Sequence, residues 1–477
     1  MSELLGNKVI SGTIWATIDR MGTMALQFIV NLILARLLMP EDFGYIGMLA
    51  IFISVSQTLV DGGFGSALIQ KKEPTQEDYS TIFYWNLGFS CILYGILFLF
   101  APCISHFFRL PLLCDVLRVL GLILIINALI IVQSNRLRKQ LAFRSIALIN
   151  LSAYSMAAVI SIVLAFKGFG VWSLVAMQLL YGIFQNGLLW GFVRWHPSAQ
   201  FSFAALKYLF GFGGYLLASN ILQVICQNVQ GILIGRKFST TQMGYYSQAK
   251  KLDDVCSYAL PQILVQVIFP VYSQLQNDRQ RLQELLGMSL RLISFVLFPL
   301  MLLMILIAEP LIILLFGMKW LASVPYFQIL CVGGIFVCLQ NVNYYAVAAI
   351  GKSKVLFNWS FYKWGLLLTL LLTGSHWGIY GILWGMVLSS VNIFLVNALL
   401  AQKYVGYSIM RQLKDVVPVL AVSGLSLAVT SAIQCCSDSL HFVLTACVFI
   451  ILYTVLMFIF RMPVLKDLVQ AKTLFKR

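Results

Sequence analysis

The chain has 477 residues, of which 60% are hydrophobic and only 10% charged, with a mean hydropathy of +0.89. A soluble domain carries roughly 25% charged residues and cannot cover its surface with so few, so a water-soluble fold is excluded. The net charge of +16 does not indicate nucleic acid, because no basic stretch is interleaved with aromatics in a polar domain. Membrane proteins instead concentrate Lys and Arg in cytoplasmic loops, where they also meet anionic lipid headgroups.

The apolar residues run continuously instead of alternating, and ~20 helical residues cross a bilayer core of ~30 Å. Helices therefore win over a barrel, and the runs predict about 14 transmembrane helices. The spans fall at 13–34, 44–69, 81–102, 116–134, 146–166, 171–193, 209–234, 252–275, 288–308, 325–348, 357–374, 379–401, 416–434 and 442–461. The first contains Asp19 and Arg20 and lacks a small-x-small cleavage site, so it reads as a membrane helix that stays and not as a signal peptide. With both termini inside, the inside loops hold 21 Lys and Arg against 8 in the outside segments, the bias expected of cytoplasmic ends. The loop after the seventh span departs from this with Arg236, Lys237, Lys250 and Lys251. Attraction of an anionic substrate and pairing with Asp253 and Asp254 both account for that departure. Arg291, Arg118 and Lys363 are expected to snorkel to the surface. Ten cysteines without a C-x-x-C spacing and four scattered histidines predict neither a disulfide framework nor a metal site. No loop is long enough to hold a soluble catalytic module.

The most informative pattern is a long-range repeat. LARLLMPEDFGYIG (34–47) recurs as IGRKFSTTQMGYYS (234–247), so that a shift of 200 carries Arg36 onto Arg236, Gly44 onto Gly244 and Tyr45 onto Tyr245. GFGVWSLV (168–175) later matches HWGIYGIL (376–383). A unit of six helices keeps its orientation, so the repeats are parallel, with a substrate site expected at their interface. The expected division is an N-lobe at 1–200, a C-lobe at 201–404, and two further helices with a basic tail at 405–477.

Polar residues mark the faces of four spans. In the first, Thr13, Thr17, Arg20, Gln27 and Asn31 share one narrow face bordered by Thr23, while Asp19 lies off it. In the seventh, Asn220, Gln223, Gln227 and Gln230 line up, and the shift of 200 superposes Arg20 on Asn220, Thr23 on Gln223 and Gln27 on Gln227. The second span aligns Ser54, Gln57 and Asp61, with Asp254, Ser257 and Pro261 as the shifted set. An ionised side chain at membrane depth costs ~2.5–3.5 kcal/mol and faces a cavity or a partner. Arg20 therefore reads either as a cavity cation or as half of an ion pair with Asp19 or Asp61. The Gly62-Gly63 pair after Asp61 is a candidate helix end. The amides suit a hydrated cavity, although Asn and Gln also join membrane helices through hydrogen bonds.

ILARLLMPEDFGYIGMLAIF, GRKFSTTQMGYYSQAKKL, QVIFPVYSQL (266–275), NRLRKQLAFRSIA (135–147) and LLFGMKWLASVPYFQIL (314–330) together resemble the Wzx-type polysaccharide flippases. These form the polysaccharide transporter branch of the multidrug/oligosaccharidyl-lipid/polysaccharide exporter superfamily. The likeness covers residues from about 8 to 405 and is greatest to the colanic-acid exporter subgroup. It implies two six-helix lobes around a central cavity. Alternating access there would move an undecaprenyl-diphosphate-linked oligosaccharide from the cytoplasmic to the periplasmic leaflet of a bacterial inner membrane. It implies that Arg20 engages the diphosphate, while the amide stripes would meet sugar hydroxyls. Arg36 and Arg236 are expected gate residues, with Glu41, Asp42, Asp253 or Asp254 opposite. No cofactor is expected; a coupling ion, H+ or Na+, is unassigned. The expected partners are the lipid-linked oligosaccharide, membrane lipids and a polysaccharide polymerase. A cation-coupled drug exporter and a lipid-linked peptidoglycan precursor flippase are the alternatives. An enzyme is not expected, because no paired carboxylates, Ser-His arrangement or phosphate-binding Gly loop is present.

Overall fold

Where each helix begins and ends follows from local chemistry in the computed structural model. It describes residues 2–62, 68, 71, 74–259, 268–436 and 442–467, without side chains at 2–10, 205, 208–216, 218–219, 258–259, 353 and 435–436. The described residues are helical apart from connecting turns and contain no strand. Ten of the helical segments are long and apolar enough to cross a membrane. The protein is a multi-pass, all-helical membrane protein.

The chain divides into two compact units, Met1–Gly244 and Tyr245–Arg477. In the first, α1 spans Ser2–Leu37 and α2 Pro40–Asp61. Pro40 occupies the first turn, where its missing N–H costs nothing. Asp42 Oδ2 accepts the Met39 N–H at 2.9 Å. α2 stops at Gly62, which adopts φ 54° and returns its N–H to the Thr58 carbonyl at 3.1 Å. That left-handed cap is why the second span ends at Asp61, short of the expected 69; residues 63–67, 69 and 70, Gly63 among them, lie outside the described residues.

α3, Gln76–Phe108, opens with a reciprocal cap. Thr75 Oγ1 accepts from the Asp78 N–H at 3.2 Å, and Asp78 Oδ2 accepts from the Thr75 N–H at 2.7 Å. The 194–202 linker is strapped onto this helix by Trp195 Nε1 to Gln76 Oε1 (2.7 Å) and by the Ser202 N–H to Thr81 Oγ1 (3.0 Å). The expected single span at 116–134 is three short helices: α4 (Leu112–Leu120), α5 (Ile123–Ala128) and α6 (Ile131–Lys139). A carbonyl freed at the second break is answered by Trp190 Nε1, 3.2 Å from Leu129 O, as broken helices in lipid require. α7 (Phe143–Phe166), α8 (Val171–Val193), α9 (Phe203–Lys237) and the start of α10 (Thr240–Asp254) complete the unit. α1 packs on α7, α7 on α8, and α9 on α2 and α3.

In the second unit α10 runs into a π-helical turn at Val255–Ala259; residues 260–267 of the expected eighth span, Pro261 among them, lie outside the described residues. α11 (Arg279–Leu306), α12 (Ala308–Phe316), α13 (Val324–Ala349), α14 (Ser353–Gly374), α15 (Gly378–Tyr404), α16 (Ile409–Cys436) and α17 (Phe442–Ile459) follow. α13 is central, packing on α15 and α11, and α11 in turn holds α16. Arg291 of α11 does not snorkel. It donates to Asp415 (2.8 Å) and to Asp467 (2.6 Å), joining α11, α16 and the segment after α17. Tyr407 donates its hydroxyl to Asp415. Burial, and then that bond, hold the Tyr407 hydroxyl well above the usual tyrosine range.

Candidate functional site

α1 carries two faces. Gly12, Trp15, Asp19 and Gly22 recur at intervals of 3, 4 and 3, and this face packs on α7. A Cβ on Gly12 would stand 3.0 Å from the Phe143 ring, and one on Gly22 would stand 3.1 Å from Leu151. Arg144 stacks 5.5 Å over Trp15, and Asn150 Nδ2 donates to Asp19 Oδ1 at 3.0 Å. The polar stripe lies about 100° around the helix, on the side α7 leaves uncovered. Thr13, Thr17, Arg20 and Gln27 are exposed, Asn31 is half-buried, and Thr23 Oγ1 is buried without a hydrogen-bond partner. Arg20 makes no ion pair with Asp19 or Asp61. Asp19 instead takes the amide of Asn150, and Asp61 ends α2 in the field of Arg138.

The stripe of α9 is likewise uncovered at Asn220, Gln223 and Gln227, while Gln230 is buried and donates to the Gln227 carbonyl. α9 lies along α2 at glycines. A Cβ on Gly231 would be 3.2 Å from the Gly47 carbonyl, and one on Gly235 would be 2.6 Å from Met48 Cγ. Gln57 and Ser54 of α2 are half-buried. The first unit thus brings together the amide stripe of α9 and the helix bearing Gln57; Ser257 and Asp254 belong to the second.

Beyond the ends of α1 and α9, the first turns of α2 and α10 interlock. A Cβ on Gly44 would lie 2.0 Å from the Thr240 carbonyl, and a Cβ on Gly244 would lie 1.8 Å from the Pro40 carbonyl. Positions 40 and 240, and 44 and 244, are the repeat-equivalent pairs, so each helix offers its glycine to the other's first turn. Thr241 Oγ1 donates to Glu41 Oε1 at 3.0 Å, again at equivalent positions. Both starts carry the same cap, Asp42 to the Met39 N–H and Gln242 Oε1 to the Ser239 N–H at 3.4 Å. Among the expected gate residues, Arg36 is exposed on the last turn of α1, and Arg236 stacks 4.9 Å over the Phe107 ring.

In the second unit Lys250 Nζ bonds Asp253 (2.9 Å) and Asp254 (2.6 Å), the pairing that was one account of the basic outside loop. Asp253 is buried and accepts from Ser257 inside the π-helical turn. A Cβ on Gly334 of α13 would stand 2.1 Å from Ser257 Oγ. Among the described residues no group of three or more His, Cys, Asp or Glu is arranged to hold a metal ion.

The sequence profile described as polysaccharide biosynthesis protein matches residues 33–325. The chain belongs to this polysaccharide biosynthesis protein family. Its similar proteins include the succinoglycan biosynthesis transport protein ExoT of Rhizobium meliloti, 27% identical over 86% of this chain and 81% of that protein. The lipopolysaccharide biosynthesis protein WzxC of Escherichia coli is 25% identical over 83% of this chain and 80% of its own. The teichuronic acid biosynthesis protein TuaB of Bacillus subtilis is 25% identical over 74% and 73%. Among solved structures, the lipid II flippase MurJ in an inward closed conformation superposes with a TM-score of 0.74, at 15% identity, over 96% of this chain and all of that one. An inward-facing multidrug transporter of the MOP superfamily gives 0.64 at 15% identity, over 82% and 98%. This member of the polysaccharide biosynthesis protein family therefore has the MOP transporter fold. Two features of it escaped the sequence reading. The Gly12–Trp15–Asp19–Gly22 spacing was the signal for the packed face of α1. The matched Gly44 and Gly244 were visible as a repeat but not as a contact.

Proposed function

We propose that the protein flips undecaprenyl-diphosphate-linked oligosaccharide repeat units from the cytoplasmic to the periplasmic leaflet of a bacterial inner membrane, for surface polysaccharide export. The observation that carries this reading is Arg20. It is exposed on a membrane helix, in line with Thr13, Thr17 and Gln27 and on the face that α7 leaves open. A guanidinium at that depth is stable only against water or an anion, and diphosphate oxygens match its fork of donors. Amides, which both donate and accept, fit sugar hydroxyls, and Asn220, Gln223 and Gln227 present them along α9.

Transport is by alternating access between two repeats of six helices, with two additional C-terminal helices and both termini cytoplasmic. The interlock of Gly44 with Thr240 and of Gly244 with Pro40 closes the outer end and parts for release. The similarity to a succinoglycan biosynthesis transport protein and to a lipopolysaccharide biosynthesis protein supports polysaccharide cargo over a drug. The amide-rich stripe with a single arginine also favours an anionic sugar over an organic cation.

The test is deletion of the gene and complementation with wild type or Arg20→Ala, with membrane levels matched. Surface polysaccharide returns with wild type and not with Arg20→Ala, and lipid-linked oligosaccharide stays on the cytoplasmic side. Unchanged surface glycan with a new sensitivity to cationic dyes would establish a drug exporter instead.

A further inference from the structure

The broken fourth span leaves a cavity in the first unit. It measures about 340 Å³ and is lined by Ile126, Leu129, Ile183, Asn186, Gly187 and Trp190, from α5, the turn after it, and α8. That volume lies within the ~300–1,000 Å³ of ligand pockets. Both polar side chains in the lining are already engaged. Asn186 Nδ2 donates to the Ile126 carbonyl at 3.5 Å, and Trp190 Nε1 donates to the Leu129 carbonyl at 3.2 Å. The cavity opens at the exposed Ile183 and Gly187. Gly187 keeps its floor low, since a Cβ there would meet nothing within 4 Å. The lining carries no charge, so a sugar or an ion would forfeit its hydration for it, whereas an apolar chain would not.

The end of the cavity toward Val193 is different. Arg194 follows Gly187 by seven residues, the spacing that returns to one helix face ~10 Å further along. Arg194 is exposed at the cap of α8, and the exposed His196 ring lies 6.1 Å from that of Trp190. Arg136, at the end of α6, lies over Tyr79 at 5.4 Å and Trp195 at 5.9 Å. Between Asp115 and Asp253 the chain has 12 Lys and Arg and no Asp or Glu. Of the acids that α3 brings to this end, Asp78 is held by Lys71 at 2.6 Å and Glu77 is exposed. We propose that the cavity seats one acyl chain of an anionic phospholipid, with the headgroup phosphate held at Arg194 and His196. Basic pockets between membrane helices take anionic headgroups, and the guanidinium fork matches phosphate oxygens. The isoprenoid chain of the proposed cargo is the other lipid of this chemistry. It is disfavoured because α1 packs on α7 and α7 on α8, so a chain seated against α5 and α8 would hold its diphosphate away from Arg20. Only that exclusion rests on the flippase reading; the phospholipid site does not.

The experiment reads lipid binding without transport. Full-length protein in detergent is titrated with phosphatidylglycerol or phosphatidylcholine and followed by native mass spectrometry and by melting temperature. Wild type retains one phosphatidylglycerol in preference to phosphatidylcholine, and its melting temperature rises with phosphatidylglycerol, as for any ligand of the folded state. Gly187→Trp fills the cavity and loses both effects. This variant should fold, because helix propensity improves and the new side chain enters open space. Its melting temperature without lipid checks that, and Ile183→Trp fills the same cavity from a second position. Arg194→Gln/His196→Gln still binds lipid but prefers phosphatidylglycerol about tenfold less, the effect of one hydrogen bond to a charged group. Phosphatidylglycerol retained by both filled variants as by wild type overturns the site. Equal retention of the two phospholipids by wild type overturns the headgroup assignment. Displacement of phosphatidylglycerol from wild type by an equal concentration of an isoprenyl phosphate gives the cavity to the cargo's chain and overturns the phospholipid.

Discussion

Replacing Gly44 and Gly244 by alanine separates two opposing effects. Alanine in a helix is worth ~1 kcal/mol over glycine, so intrinsic propensity predicts a stabilised α2 and α10. Packing predicts the opposite. The added Cβ would stand 2.0 Å from the Thr240 carbonyl or 1.8 Å from the Pro40 carbonyl, where ordinary contact begins at 3.4 Å. The clashing atoms are backbone on both sides and cannot rotate away, so the helix starts must part by about 1.5 Å, at an overpacking cost of ~1–3 kcal/mol. That displaces a closed–open equilibrium by about 5- to 150-fold toward open. The double variant should cost less than the sum, because parting the ends for one methyl makes room for the other. Spin labels at Met39 and Ser239, both exposed, in a cysteine-depleted background report the separation by pulsed electron paramagnetic resonance. Wild type gives one short distance, and each alanine variant adds a longer population and loses export. An unchanged distance distribution with full export in both single variants would show that the interlock does not act as a gate.

Arg291→Leu strands Asp415 and Asp467. Their exposures of 17% and 10% reduce the loss below the ~3–5 kcal/mol of a fully buried pair, and the melting temperature in detergent should fall clearly. Arg291→Lys recovers only part of it, having no fork to bridge two carboxylates. Gly334→Ala pushes on Ser257 Oγ, a side-chain atom, so the damage to thermal stability should be partly relieved in Gly334→Ala/Ser257→Ala. Gln223→Leu/Gln227→Leu leaves membrane levels unchanged and lowers export several-fold, measured as surface polysaccharide. Tyr407 has a raised pKa in the fold, so its bond to Asp415 stabilises fully below the ordinary tyrosine value of ~10 and is lost as pH rises beyond it. The Tyr407→Phe destabilisation should accordingly be constant from neutral pH up to that point and shrink above it.

How much was legible depended on whether a feature was periodic or relational. The uncovered stripe of α1 could be read because Thr13, Thr17, Arg20 and Gln27 repeat at helical spacing, and composition alone established the membrane. The hydrogen bond of Asp19 could not be read from that stripe, because its partner is Asn150, 131 residues away on another helix. Arg291 misled for the same reason. A basic residue near a span end usually snorkels, and only the fold brings Asp415 and Asp467 to it. The three-piece fourth span was hidden because Leu, Ile and Asn at 122–130 look helical. Its breaks are tolerated through Trp190 and Asn186, which arrive from α8.

The repeat divides residues by what each must do. Where α2 and α10 begin, the shift of 200 preserves Gly44 as Gly244 and Arg36 as Arg236, and it preserves the cap at 42 and 242 in function, as an acid in one helix and an amide in the other. These positions make helices meet, and two surfaces that close on each other about a local axis have to match. Deeper along α1 the match fails: Asp19 corresponds to Ser219 and Arg20 to Asn220. Both charges survive in one repeat only. The proposed cargo carries its diphosphate at one end and fits that inequality, since a cation at both equivalent positions would attract the diphosphate to two places. If so, Asn220→Arg should bind the anionic end in the wrong orientation and lower export despite adding a favourable charge.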